Sequence, residues 1–238
     1  MTMNVPIVYF SASGNTQYVA RLIRNGLKLA GFQPELIRLK SVLTGKKKLD
    51  YENITAIGIG APVYGMALTP NVLSWIKALP EPRKPIKLFL FDTNAGLPGK
   101  ALDEARGILA SRNFHVIGAL EIIAPTRDSV FEFKFFENLK WSDAKIERAF
   151  HFGFKLGTIL KRGEGRVNWS RPTPGGTLIR ALFKRVEKPI FKLASRLFQF
   201  NASRCFQCKA CERNCPTSAI SFENEPVLDG NACMLCFN

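Results

Sequence analysis

Cysteine is missing from the first 204 of the 238 residues, and histidine occurs only at positions 115 and 151. With every thiol in the last 34 residues and too few apolar residues in Met1–Phe10 for a signal-peptide core, a secreted disulfide framework is excluded and the chain reads as cytoplasmic. The sequons at Asn53, Asn168 and Asn201 then carry no glycosylation meaning. His115 and His151 sit in apolar contexts suited to core or capping roles, and no Ser-His-Asp, histidine-metal or paired-carboxylate pattern stands out. No uncharged apolar run is long enough to span a bilayer. Acid is scarce in one place: residues 140–204 hold 15 Lys or Arg against 4 Asp or Glu, so net +11 of the chain's +15 belongs to this stretch.

At 46% apolar composition, the chain can build one substantial core plus a satellite, so two domains are expected. Val5–Phe10 (V-P-I-V-Y-F) reads as a strand buried on both faces, and Thr16–Ala30 carries a helical apolar stripe at Val19, Leu22, Ile23, Leu27 and Ala30. Between them lies S-A-S-G-N-T. This loop has neither the three glycines of a dinucleotide fingerprint nor the lysine of a nucleoside-triphosphate loop. It can still hold a phosphate: the N–H groups of Ala12 through Thr16 converge at a helix N-terminus, and the hydroxyls of Ser11, Ser13 and Thr16 add donors. A well-capped helix start with no ligand accounts for the same residues.

Further strands are expected at Glu35–Leu39, Ile54–Gly60, Ile86–Phe91 and His115–Ile123, with a lysine-bearing loop at 46–48. Helices are expected at Pro70–Leu79, Lys100–Arg112 and Trp141–Leu160. Alternation of this kind gives a doubly wound α/β sheet of five parallel strands, whose ligands sit beyond the carboxyl ends of the strands at the switch point. Three loops meet there: residues 11–16, 61–66 (A-P-V-Y-G-M) and 92–99 (D-T-N-A-G-L-P-G). On these motifs, Val5 to about Arg162 resembles a flavodoxin, whose hydroxyl-rich G-N-T loop binds the phosphate of flavin mononucleotide (FMN). The resemblance implies that Ser11, Ala12, Ser13, Gly14, Asn15 and Thr16 hold that phosphate. By the same likeness Pro62, Val63, Tyr64 and Gly65 and Thr93, Asn94, Ala95 and Gly96 flank the ring, with Tyr64 stacked on it or half buried in packing.

Cys205–Pro216 (C-F-Q-C-K-A-C-E-R-N-C-P) is the most constrained stretch. Three thiolates at two-residue intervals let one loop wrap three corners of an iron–sulfur cubane, and a fourth, before proline, points away. Cys233 and Cys236 begin a second run after a segment, 217–232, expected to form a small hairpin. Two CxxC pairs also suit zinc, but that reading leaves Cys211 and Cys215 idle. The run resembles a bacterial two-cluster ferredoxin, which implies 4Fe-4S ligation by Cys205, Cys208 and Cys211 at one site and by Cys215, Cys233 and Cys236 at the other. Two full clusters need eight thiolates and six are present, so a ferredoxin-type domain that continues beyond residue 238 is expected.

Together the motifs resemble the flavodoxin–ferredoxin fusion proteins of anaerobic prokaryotes: a flavodoxin-like domain at 1–162, basic linker and helices at 163–200, and a small, incomplete ferredoxin-type domain at 201–238. The function this implies is electron transfer between 4Fe-4S clusters and FMN. Two alternatives stand beside it: an FMN-dependent oxidoreductase acting on a small molecule, and a non-redox scaffold on an anionic surface. The expected partner is an acidic redox protein. Residues 177–200, with six basic residues, one acid and a helical apolar stripe interrupted at Pro189, either touch a membrane or an acidic partner or pack on the first domain. Nucleic acid is not expected. Val130–Phe136 (V-F-E-F-K-F-F) reads as a core-packing strand or a lid near the flavin.

Overall fold

A computed structural model describes residues 3–125, 139–167, 189, 193, 195, 200–234 and 236. Val130–Phe136 lies outside them, as does most of 177–200, of which Pro189, Leu193 and Ser195 are helical.

The first unit runs β1 (Asn4–Tyr9), α1 (Asn15–Leu29), β2 (Gln33–Arg38), α2 (Leu39–Leu43), β3 (Ala56–Tyr64), β4 (Ala67–Leu68), α3 (Pro70–Ala78), β5 (Ile86–Asn94), α4 (Ala101–Ala110), β6 (Phe114–Ile123) and α5 (Asp143–Arg162). Five parallel strands lie in the order β2-β1-β3-β5-β6, and the two-residue β4 turns back against β3. Counting only the parallel strands, this is the flavodoxin-like order 2-1-3-4-5, with its switch point at β1 and β3.

The strands are buried almost throughout because each face of the sheet is covered. Ile57, Ile59, Leu88 and Leu90 point to the side of α3 and α4, where they join Val72, Ile76, Leu102 and Leu109. Phe89, Phe91, Ile7 and Val5 point to the opposite side and pack on Val19, Ile23 and Leu27 of α1 and Phe152 and Leu156 of α5. Helices α1 and α5 touch backbone to backbone, since a Cβ on Gly153 would fall 2.2 Å from the Ile23 carbonyl oxygen.

Several expected boundaries move. Strands β3 and β5 run on to Tyr64 and Asn94, so Pro62, Val63, Tyr64, Thr93 and Asn94 are strand ends rather than loop. Pro62, lacking an N–H, is tolerated there at the carboxyl end of β3, in register with Thr93. The short α2 precedes the lysine-bearing loop at 46–48, and the last helix of the unit starts at Asp143 rather than Trp141. His115 and His151 are both exposed, not core or capping residues. In β6 the pleat turns His115 outward between buried Phe114 and Val116, and its Nε2 lies 3.2 Å from Arg166 Nη2. After α5 the chain returns along β6, where Val167 N–H donates to the Ile117 carbonyl at 2.9 Å.

The second unit is small. It contains α6 (Ala210–Asn214) and the expected hairpin, an antiparallel pair β7 (Ile220–Phe222) and β8 (Pro226–Leu228).

Candidate functional site

At the carboxyl ends of β1, β3 and β5 the three sequence-singled segments come together. The first is the turn into α1. Gly14 is its N-cap with φ +90°, a left-handed conformation that favours glycine, and no side chain caps the helix. Simple side-chain capping therefore does not account for Ser13 and Thr16. Thr16 is buried and its hydroxyl lies 2.7 Å from that of Thr93, which braces the first segment against the third. Asn15 Nδ2 donates to Ser13 Oγ at 3.3 Å and to the Pro125 carbonyl beyond β6. Ser11 Oγ is buried with no partner, and a Cβ built on Gly14 would meet nothing within 4 Å. An orphaned hydroxyl beside an open, uncapped helix N-terminus fits the phosphate of a cofactor.

The second segment is a tight hairpin. Tyr64 pairs with Ala67 across Gly65 and Met66, whose φ values of 55° and 64° match the two-residue turn that suits strand twist. Tyr64 is half-buried against the core on the α3 side. The hairpin tip touches the third segment, since a Cβ on Gly99 would lie 2.7 Å from Met66 Cβ.

The third segment is organised by Asp92, which the sequence reading left among ordinary loop residues. Asn94 Nδ2 donates to Asp92 Oδ1 at 2.7 Å, and Gly96 N–H donates to Asn94 Oδ1 at 2.9 Å. Asp92 is fully buried and its Oδ2 has no partner. Burial pushes its carboxyl well above the ordinary value of 3.8 and Glu121 adds to the rise, against the Asn94 hydrogen bond, Arg148 and an Ile122 backbone hydrogen bond. The signal in the sequence was a lone acid closing the apolar run I-K-L-F-L-F.

A cavity of about 170 Å³ opens beside this turn, lined by Ser11, Ala12, Gly14, Arg38, Lys40 and Asn71 and closed by Asn214 and Pro216 of the second unit. A larger one, about 460 Å³, lies at the opposite end of the sheet along the start of β6, away from these loops. The smaller cavity has the orphaned hydroxyl and the helix N-terminus, and chemistry outweighs size.

No disulfide joins the six cysteines. Gln207 and Lys209 adopt φ of 51° and 54°, which curls the chain between Cys205, Cys208 and Cys211. Cys215 Sγ accepts from Ala219 N–H at 3.1 Å. Burial raises its thiol, but hydrogen bonds from Thr217, Ile220 and Ala219 outweigh this, and the net shift is downward. N–H groups aimed at sulfur stabilise thiolate, the form that binds metal, so the donor set fits an iron–sulfur cluster. Among the described residues no three His, Cys, Asp or Glu side chains close to metal-holding distance.

Residues 198–221 match the 4Fe-4S binding domain family. Over 40 residues, 16% of this chain, the sequence is 48% identical to a ferredoxin-like protein in the nif region of Rhizobium leguminosarum bv. trifolii, and the match spans 62% of that protein. The fold is similar to the flavodiiron core of Flv1 from Synechocystis, at 18% identity and a TM-score of 0.54 over 68% of this chain and 37% of that one. It also aligns with a flavodoxin from the domain Archaea, at 15% identity and a TM-score of 0.47 over 66% of this chain and 99% of that one. The chain thus joins a flavodoxin-like α/β unit to a ferredoxin-type 4Fe-4S segment.

Proposed function

We propose that this chain is an electron-transfer protein that exchanges electrons between an FMN on the α/β unit and 4Fe-4S clusters on the cysteine module. The observation that carries the reading is the packing of the cysteine run beside the turn that follows β1: Pro216, next to Cys215, shares a cavity wall with Ser11 and Gly14. When bound, a 4Fe-4S cluster exchanges electrons singly and a flavin stores one or two, so their pairing couples one-electron to two-electron chemistry.

The chain's own residues do the holding and the shielding. Backbone N–H groups of Ala12 through Thr16 and the Ser11 hydroxyl take the phosphate, with Arg38 and Lys40 on the wall of the same cavity. Thr16 and Thr93 fix the spacing of two walls. Pro62, Val63, Tyr64 and Gly65 form one side of the ring site and Thr93, Asn94, Ala95 and Gly96 the other, with Tyr64 the stacking residue. Cys205, Cys208 and Cys211 hold one cluster, while Cys215, Cys233 and Cys236 serve the other.

Anaerobically purified full-length protein is expected to contain iron, acid-labile sulfide and FMN together, with overlapping flavin and iron–sulfur absorbance. A colourless protein containing zinc would overturn the proposal.

A further inference from the structure

The cysteine module has two unlike sides. One is turned into the α/β unit. Met234 is 4% exposed within the core cluster that includes Leu39, Leu68 and Val72, and Cys236 packs against the same cluster. Lys40 Nζ donates to the Arg213 carbonyl, and Asn214 and Pro216 close the cavity at the phosphate turn. Protein already covers this side.

The Cys205–Cys211 loop faces the other way. Phe206 is 92% exposed, the highest value among the large apolar side chains described, and Cys208 beside it is exposed. A lone apolar side chain in water is ordinary. Here its place is not: it stands between two thiols and is flanked by Arg204 and Lys209, both exposed. From Glu187 to Glu212 the chain has no acidic residue. Glu212 itself is tied into the hairpin, its Oε1 accepting from Phe222 N–H at 3.1 Å. Lys209 Nζ lies 5.4 Å from the centroid of the Phe222 ring, which keeps its charge at the base of the loop. An apolar tip flanked by two cations is complementary to an acidic protein surface with an apolar recess.

We infer that the Cys205–Cys211 loop is the docking face for an acidic one-electron carrier protein, with Phe206 as the apolar contact, and that the Met234 side passes electrons inward. This rests on the electron-transfer reading above. Cys205, Cys208 and Cys211 would hold the cluster at this face, which would take up the one electron that the reduced partner gives up. No bond or proton changes hands. The rival face is the exposed Lys46–Lys48 run on the α/β unit, where Lys47 is paired with Glu35.

The test uses the full chain with its cofactors and an acidic [2Fe–2S] ferredoxin as probe. Binding is measured by calorimetry with the oxidised probe, and the second-order electron-transfer rate by stopped flow with the reduced probe, each at low and high salt. Arg204→Glu with Lys209→Glu is expected to weaken binding and slow transfer about tenfold and to flatten the salt dependence. Phe206→Ser is expected to cost about fivefold with the salt dependence kept. Lys46→Glu with Lys48→Glu is expected to change either by less than about twofold. Iron, sulfide and the visible spectrum of each variant must equal the parent's, which excludes cluster loss as the cause. Equal losses from the Lys46/Lys48 pair, or parent-like behaviour of the loop variants with both cofactors present, overturns the docking face alone. A parent without iron and sulfide overturns the electron-transfer reading and this inference with it.

Discussion

The two units of this chain are held by different forces. The α/β unit buries whole rows of Ile, Leu, Val and Phe on both faces of its sheet. Among the described residues of the cysteine module the buried apolar side chains are Ala219, Pro226 and Met234, and Met234 belongs to the other unit's core. A segment this short cannot bury enough of its own surface to offset chain entropy. Its order has to be supplied by bonds to a cofactor and by the neighbour on which it leans. One unit folds and then offers a site; the other is completed by what it binds.

Removing a ligand should separate the two most sharply. Cys215→Ser is expected to abolish amide-exchange protection across residues 205–229 while the α/β unit melts within about 2 °C of the parent. Unchanged protection at Ala219 would show that packing alone orders the module. Phe91→Ala attacks the other side of the comparison. This ring is fully buried against Gly60, and its loss should destabilise the α/β unit by about 3–5 kcal/mol in urea titrations. A cost below about 1 kcal/mol would mean the sheet repacks around the void.

At the site, Gly14→Val should weaken FMN binding more than Thr16→Ala. The valine must adopt a left-handed φ and also fills the open space at the turn, whereas the threonine change removes one hydroxyl and its contact with Thr93. We expect about 2 kcal/mol and about 1 kcal/mol in affinity, read by flavin fluorescence quenching. Equal affinity for parent and Gly14→Val would remove the phosphate assignment.

The last effect is a slope rather than a step. Because the folded-state pKa of Asp92 is raised, the native state keeps a proton that the unfolded chain loses above pH 3.8. Stability from this group is therefore full below that pH and falls as pH rises toward the folded pKa, by at most about 1.4 kcal/mol per pH unit. Asp92→Asn, which keeps shape and a hydrogen-bonding carbonyl, should flatten urea-unfolding stability from pH 4 to 7. A parent and variant with parallel profiles would show that Asp92 ionises normally.

Much of the α/β unit was legible because strands covered on both faces read as near-continuous apolar runs, as in I-T-A-I-G-I-G and I-K-L-F-L-F. Strand ends were not. Pro62 and Thr93 carry turn-like chemistry, and it is pairing across the sheet, Pro62 with Thr93 and Thr93 with Ile122, that keeps them in strands. The outward histidine of β6 was misread because a pleat turns each side chain by its position and not by its neighbours' hydropathy. The phosphate turn was visible as a motif. Its brace to Thr93, 77 residues away, was not, since no local pattern encodes a contact across that distance. The seating of Met234 in the first unit's core was hidden for the same reason.

The return of the chain along β6 bears on solubility. Among the described residues β6 is a margin of the sheet, and an open margin is a template on which a second molecule can extend the ladder. Val167 occupies the Ile117 carbonyl, and the adjoining Arg166 and His115 place polar groups where an incoming strand would lie. Lys47 and Glu35 form an ion pair at the opposite margin, on β2. Both flanks of the sheet are thus guarded against edge-to-edge aggregation.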